Sequence, residues 1–115
     1  MGSPLDLLAT TGEITVHTAL TPARGVVIWV VVVNGTAYIR SYRGRRGKWY
    51  AGTRANPTVT LEVNGQSIPG RIAEVTDPAE IAAVSHAFAA KYAGSSYLPA
   101  MLAEEILATT LRLSF

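Results

Sequence analysis

Six of the ten Lys and Arg residues fall between Tyr38 and Pro57, in YIRSYRGRRGKWYAGTRANP, together with three glycines and no acid. A guanidinium is a planar fork of donors that matches phosphate or carboxylate. Ser41 adds a hydroxyl, and Gly44 and Gly47 let backbone N–H groups approach an anion closely. Trp49 and Tyr50 supply flat surfaces for stacking. On an extended strand, Arg40 and Tyr42 share one face and Ser41 and Arg43 the other. These are the parts of a pocket for a phosphorylated aromatic molecule. A basic hairpin that keeps a strand edge soluble would carry the same charges, and in that reading Arg45, Arg46 and Lys48 are simply solvated.

Other chemistry is thinly represented. His17 and His86 stand far apart, no HxxxH or HExxH spacing occurs, and there is no cysteine, so no built-in metal site is expected. GxSxG, Walker and GxGxxG motifs are absent. The run Arg43-Gly44-Arg45-Arg46-Gly47-Lys48 lacks the Walker spacing, and no helix is expected after it. Ser41, Ser67, Ser85, Ser95 and Ser96 have no base beside them in sequence, and Glu104 and Glu105 diverge as neighbours on a helix. No catalytic side chain is identified, so a cofactor would have to carry any reaction.

Net charge is only +2, but from Ile14 to Leu61 there is no acid and there are seven Arg or Lys. This distribution builds a local positive field. Arg-rich loops with Trp and Tyr also suit single-stranded nucleic acid, but the modest net charge and the acids elsewhere argue against that partner.

The elements that must hold these residues read as follows. EITVHTAL (Glu13 to Leu20) alternates as a strand, and Thr21 to Gly25 form a loop. VVIWVVVV (Val26 to Val33) reads as one central strand covered on both faces. Asn34-Gly35 is a hairpin signal leading into TAYIRSY. PTVTLEV, Asn64-Gly65 and QSIPGRIAEV form a second hairpin, with Pro69-Gly70 marking a bulge or edge. Asp77-Pro78-Ala79-Glu80 opens a helix that carries Ile81, Val84, Phe88 and Tyr92 on one face. Gly94 stops it, Pro99 opens a shorter helix, and TTLRLSF is the last strand. The result is an α+β domain with a small closed or nearly closed antiparallel barrel.

With 115 residues the chain is expected to form one domain over 13–115, preceded by an N-terminal segment over 1–12. The absence of cysteine fits a cytoplasmic location. MGSPLDLLATTGE does not read as a signal peptide, and the longest apolar run is too short to span a bilayer.

In this order of elements the chain resembles the FMN-binding split-barrel superfamily, the pyridoxamine 5'-phosphate oxidase-like fold. Ser41 to Gly44, then Trp49-Tyr50 and Ala55-Asn56-Pro57, are similar to the Ser-basic-Gly, Trp-Tyr and Ala-Asn-Pro run of its deazaflavin-dependent nitroreductase branch. IWVVVV-NG, YIRSYRG, KWY, KYAGSSY and TTLRL are closer still to a small uncharacterised bacterial family placed in that superfamily. The resemblance runs from Glu13 to Leu113. It implies a six-stranded split barrel with one longer and one shorter helix before the last strand. It also implies a homodimer with FMN or a deazaflavin coenzyme in a groove between subunits. By the same resemblance, Ser41, Arg43 and Gly44 lie near the phosphate, with Arg40, Lys48 and Arg24 next, and Trp49 and Tyr50 either line the pocket or pack. The first loop, LTPARG, departs from the branch's Gly-Arg-basic-Ser-Gly run. The activity implied is an oxidoreductase moving a hydride between cofactor and a small organic substrate. The alternative is a non-catalytic dimer that carries a ligand, haem included, or contacts another protein.

Overall fold

Two Asn-Gly turns and one broken strand organise the sheet. The computed structural model describes residues 4–18 and 25–115, with only the backbone of Lys48. In chain order its strands are β1 (Glu13–His17), β2 (Val26–Trp29), β3 (Val31–Val33), β4 (Thr36–Ile39), β5 (Thr58–Val63), β6 (Gln66–Glu74) and β7 (Leu111–Ser114). Asn34 and Gly35 take φ of 50° and 77°, and Asn64 and Gly65 take 48° and 79°. That is the pair of left-handed residues a tight hairpin turn needs. The turns join β3 to β4 and β5 to β6 in the expected antiparallel register.

The apolar run expected as one strand is interrupted at Val30, so the sheet has seven strands and not six. Its order is β2-β1-β5-β6-β7-β4-β3. Both outer strands thus belong to one stretch of chain, and the sheet curls into a nearly closed antiparallel barrel. A peptide group withdrawn from the ladder needs another partner, and side chains supply it. The Val30 N–H donates to the Tyr92 hydroxyl at 3.1 Å, and Lys91 Nζ donates to the Val30 carbonyl at 2.7 Å.

Among the described residues five helices occur where two were expected: α1 (Pro4–Thr10), α2 (Lys48–Ala55), α3 (Pro78–Lys91), α4 (Leu98–Met101) and α5 (Glu104–Leu107). The N-terminal segment joins the same core, because Leu8 of α1 is fully buried among the barrel residues. Lys91 Nζ also donates to the Leu8 carbonyl at 3.0 Å, one of the orphan acceptors of a final helical turn. α3 begins as the sequence indicates, with Asp77 Oδ1 accepting from the Ala79 N–H and Pro78 in the first turn.

Strand alternation divides the core into two layers. Ala37 and Ile39 point into the barrel with Val16, Leu61 and Leu113. Tyr38 points outward into a second cluster with Val31, Val84, Phe88 and Met101, beneath the helices. The Tyr38 hydroxyl donates to Glu80 Oε2 at 2.5 Å, and Arg112 clasps both Glu80 oxygens at 2.8 Å. The first turn of α3 is thereby fastened to β4 and β7. Arg112, then Tyr38, hold the Glu80 carboxyl below the usual carboxylate range.

Candidate functional site

β4 ends at Ile39, and the next residues separate two kinds of arginine. Arg40 is fully buried. Its Nε donates to Thr110 Oγ1 at 2.9 Å and its Nη1 to the Met101 carbonyl at 3.1 Å. Its Nη2 donates to the Ile81 carbonyl at 3.0 Å and to Ser85 Oγ at 2.9 Å. The guanidinium lies 5.2 Å from the Phe88 ring centroid, and burial lowers its pKa to about 10. The sequence reading sets Arg40 beside a phosphate. In the structure its donors are committed to four protein acceptors, and it ties β4 to α3, α4 and the approach to β7.

Ser41 is fully buried too. Its N–H donates to Thr109 Oγ1 at 3.0 Å, and its hydroxyl donates to the Gly44 carbonyl at 2.6 Å. The Gly44 N–H returns to the Ser41 carbonyl at 2.9 Å. Gly44 has φ of 65°, a region costly for most other residues. A Cβ on Gly47 would lie 2.6 Å from Ser41 Oγ, so the wound loop has room only for glycine there. Ser41, Gly44 and Gly47 therefore shape the loop and leave Arg43, Arg45 and Arg46 exposed on it.

This loop passes through a short 3-10 turn over Gly44–Arg46 directly into α2. The expectation that no helix follows the Gly-basic run is overturned. Gly47 is the N-cap and no side chain caps α2, so its first turn presents N–H groups without a side-chain acceptor. Trp49 and Tyr50 are turned inward, at 4% and 2% exposure, and meet edge to face at 6.3 Å. Tyr50 packs in the barrel core. Lys48 starts α2, but its side chain lies outside the described residues, as does Arg24.

Arg54, the last basic residue of the segment, pairs with Glu74 at 2.9 Å. Among the described residues, Arg43, Arg45 and Arg46 form no ion pair; the arginine–carboxylate pairs found are Arg54–Glu74 and Arg112–Glu80. These three arginines border two depressions. One, of about 490 Å³, lies between β2 and the loop and is lined by Val26 to Ile28, Arg43, Arg46, Gly47 and Trp49 among others. The other, of about 540 Å³, is lined by Arg43, Gly44, Arg45, Arg46, Glu105, Ile106 and Ala108. Tyr42, Arg43 and Arg46 line both.

Continuous with them is an apolar patch absent from the sequence reading. Val27, Tyr42 and Tyr97 are 60%, 51% and 60% exposed, and the two tyrosines meet edge to face at 5.9 Å. Tyr97 and Glu105 reach the site from the helical end of the chain, too far in sequence for local spacing to signal them. Among the described residues, no group of three His, Asp or Glu is placed to hold a metal. None of the described helices is long and apolar enough to cross a membrane.

Residues 5–113 match the family model of DUF2255, described as an uncharacterised protein conserved in bacteria. The chain belongs to this family. No curated protein sequence matches it, but solved structures resemble this DUF2255 fold. A conserved hypothetical protein from Mycobacterium tuberculosis matches with a TM-score of 0.65 at 12% identity, over 98% of this chain and 79% of the other. A Listeria innocua protein assigned as a pyridoxamine 5'-phosphate oxidase matches with a TM-score of 0.62 at 12% identity, over 95% and 86%. A FAD-binding protein from Mesorhizobium loti matches with a TM-score of 0.56 at 19% identity, over 97% and 87%. At such identities the shared feature is the fold. This chain thus shares the fold of these three proteins, with seven strands in its described sheet because of the break at Val30.

Proposed function

We propose that this DUF2255 protein binds a phosphorylated flavin-type cofactor, a flavin or a deazaflavin, in the depression between β2 and the Arg43–Gly47 loop. The observation that carries the proposal is the exposed pair Arg43 and Arg46, without an ion-pair partner among the described residues, on the rim of a depression walled by an apolar strand and Trp49. A phosphate satisfies such arginines with charge-assisted bonds, and the apolar wall suits a flat ring. The uncapped first turn of α2 adds favourable N–H dipoles at the same end of the loop. A similar fold in a FAD-binding protein and in one assigned as a pyridoxamine 5'-phosphate oxidase supports the choice of a flavin.

In this proposal Arg43 and Arg46 bind phosphate, and Ser41, Gly44 and Gly47 hold the loop that presents them. Trp49 forms part of the ring-facing wall. Lys48 and Arg24 stay in the proposed basic set on the family resemblance. When bound, the cofactor would supply hydride transfer to or from a small organic substrate. The protein's part is to orient the ring and exclude water. The exposed patch of Tyr97 with Val27 and Tyr42, which themselves line the depression, is proposed as the surface where a second copy packs, so that the homodimer closes over the cofactor.

Titration of the purified protein with FMN and with a deazaflavin coenzyme, read by fluorescence and thermal shift, tests this reading. Binding of at least one at micromolar concentration is expected. Loss of one arginine–phosphate contact in Arg43→Ala should weaken it about tenfold. Failure of a folded protein to bind any flavin would reject the proposal.

A further inference from the structure

Arg40 is fully buried, yet nothing anionic balances it among the described residues. Its four acceptors are two hydroxyls and two backbone carbonyls, all neutral, and the ion pairs formed do not include it. With its pKa lowered to about 10, it still carries its charge at neutral pH. A buried charge without a counter-ion is costly. A guanidinium has five N–H groups, and four are used, so one on Nη1 remains. Arg40 and Met101, both buried, line a cavity of about 220 Å³ whose rim is formed by the exposed Glu13, Tyr42 and Tyr97.

This space is smaller than the roughly 300–1,000 Å³ of sites for drug- or cofactor-sized ligands, so it suits a molecule of one ring. Its walls are aromatic. Tyr42 and Tyr97 meet edge to face at 5.9 Å, and Trp29, stacked on Tyr92 at 3.9 Å, lines it from β2. Such faces favour a flat ring. The charges give the cavity a polarity. Arg40 attracts an anion and repels a cation, and its field is little screened where water is excluded. Glu13, at the rim, repels an anion and accepts a hydrogen bond from a hydroxyl or amino group. We propose that the cavity binds a single-ring aromatic carboxylate, its carboxylate toward Arg40 and a ring hydroxyl or amino group toward Glu13. The site adjoins the cofactor depression, sharing Val27, Ile28 and Tyr42 with it, but its binding does not depend on a flavin. A second copy packed on the Tyr42 and Tyr97 patch would close over this ligand as well.

Calorimetric titration of the full chain with para-hydroxybenzoate, benzoate and para-hydroxybenzamide, without flavin, tests this. The hydroxybenzoate should bind. The neutral amide, of the same shape, should bind about tenfold or more weakly, the loss of one charge-assisted contact. Benzoate should lie severalfold below the hydroxybenzoate. Glu13→Ala, a change at an exposed side chain, should bring the hydroxybenzoate to the affinity of benzoate. Tyr97→Ala should weaken both acids, and Arg43→Ala/Arg46→Ala should weaken neither. Equal binding of acid and amide would remove Arg40 from the site and overturn the proposal, and insensitivity to Glu13→Ala would overturn the assigned polarity. Loss of the acids in the Arg43→Ala/Arg46→Ala variant would put them on the exposed arginines and also overturn it. So would failure of the folded chain to bind either acid, an outcome that leaves the flavin reading standing.

Discussion

Arg40 and Arg43 are three residues apart and have opposite surroundings. Arg40 is fully buried and makes hydrogen bonds to four protein acceptors. Arg43 is exposed, has no ion-pair partner among the described residues, and borders both depressions. The difference arises where β4 stops. Up to Ile39 the chain is held in the ladder beside β7. Beyond it, Arg40 turns into the helical layer, and the Ser41–Gly44 bonds wind the following residues outward. A basic segment is thus two things at once: an internal fastener and a charged rim.

Breaking the fastener should have the largest effect. Arg40→Ala leaves buried acceptors unpaired and opens a cavity beside Phe88, so a loss of about 3 kcal/mol or more in chemical denaturation is expected. Tyr92→Phe comes next. It removes the hydroxyl that receives the Val30 N–H at 3.1 Å, and stranding that donor should cost about 1–2 kcal/mol.

A smaller effect should appear with pH at the Glu80 clasp. Its carboxyl is held below the usual range by Arg112 and Tyr38, so the folded state favours the ionised form. That contribution is complete above the ordinary carboxylate pKa of about 4.3 and is lost as pH falls through the lower folded value. Melting temperatures of the parent should fall more steeply than those of Glu80→Gln on acidification. Parallel curves would remove the clasp from the account. Arg43→Ala should be the mildest for the fold, within about 0.5 kcal/mol of the parent, while weakening flavin binding. A large loss of stability would erase the contrast with Arg40.

How much of this was legible followed the range of the interactions. Asn34-Gly35, Asn64-Gly65, Asp77-Pro78 and Gly94 act through their own backbone conformations, and each marks a turn or helix end where the sequence indicates one. The break at Val30 was not legible, because VVIWVVVV is uniform and the cause is Tyr92 and Lys91, about sixty residues away. α2 was hidden because KWYAGTRA mixes aromatics, Gly52 and Thr53 with no apolar stripe; Trp49 and Tyr50 are helical because the barrel core receives them. Arg40 and Arg43 looked alike because what separates them, Ile81, Ser85, Met101 and Thr110, comes from the other half of the chain. Glu105 and Tyr97 join the site across the same distance.

The most direct test is a paired measurement on Arg43→Ala/Arg46→Ala: thermal melting without ligand, and titration with FMN and FAD. An unchanged melting temperature together with loss of flavin binding would show these arginines to be a ligand-facing rim on an intact barrel, as the account requires. Flavin binding at parental affinity, or collapse of the fold, would contradict it.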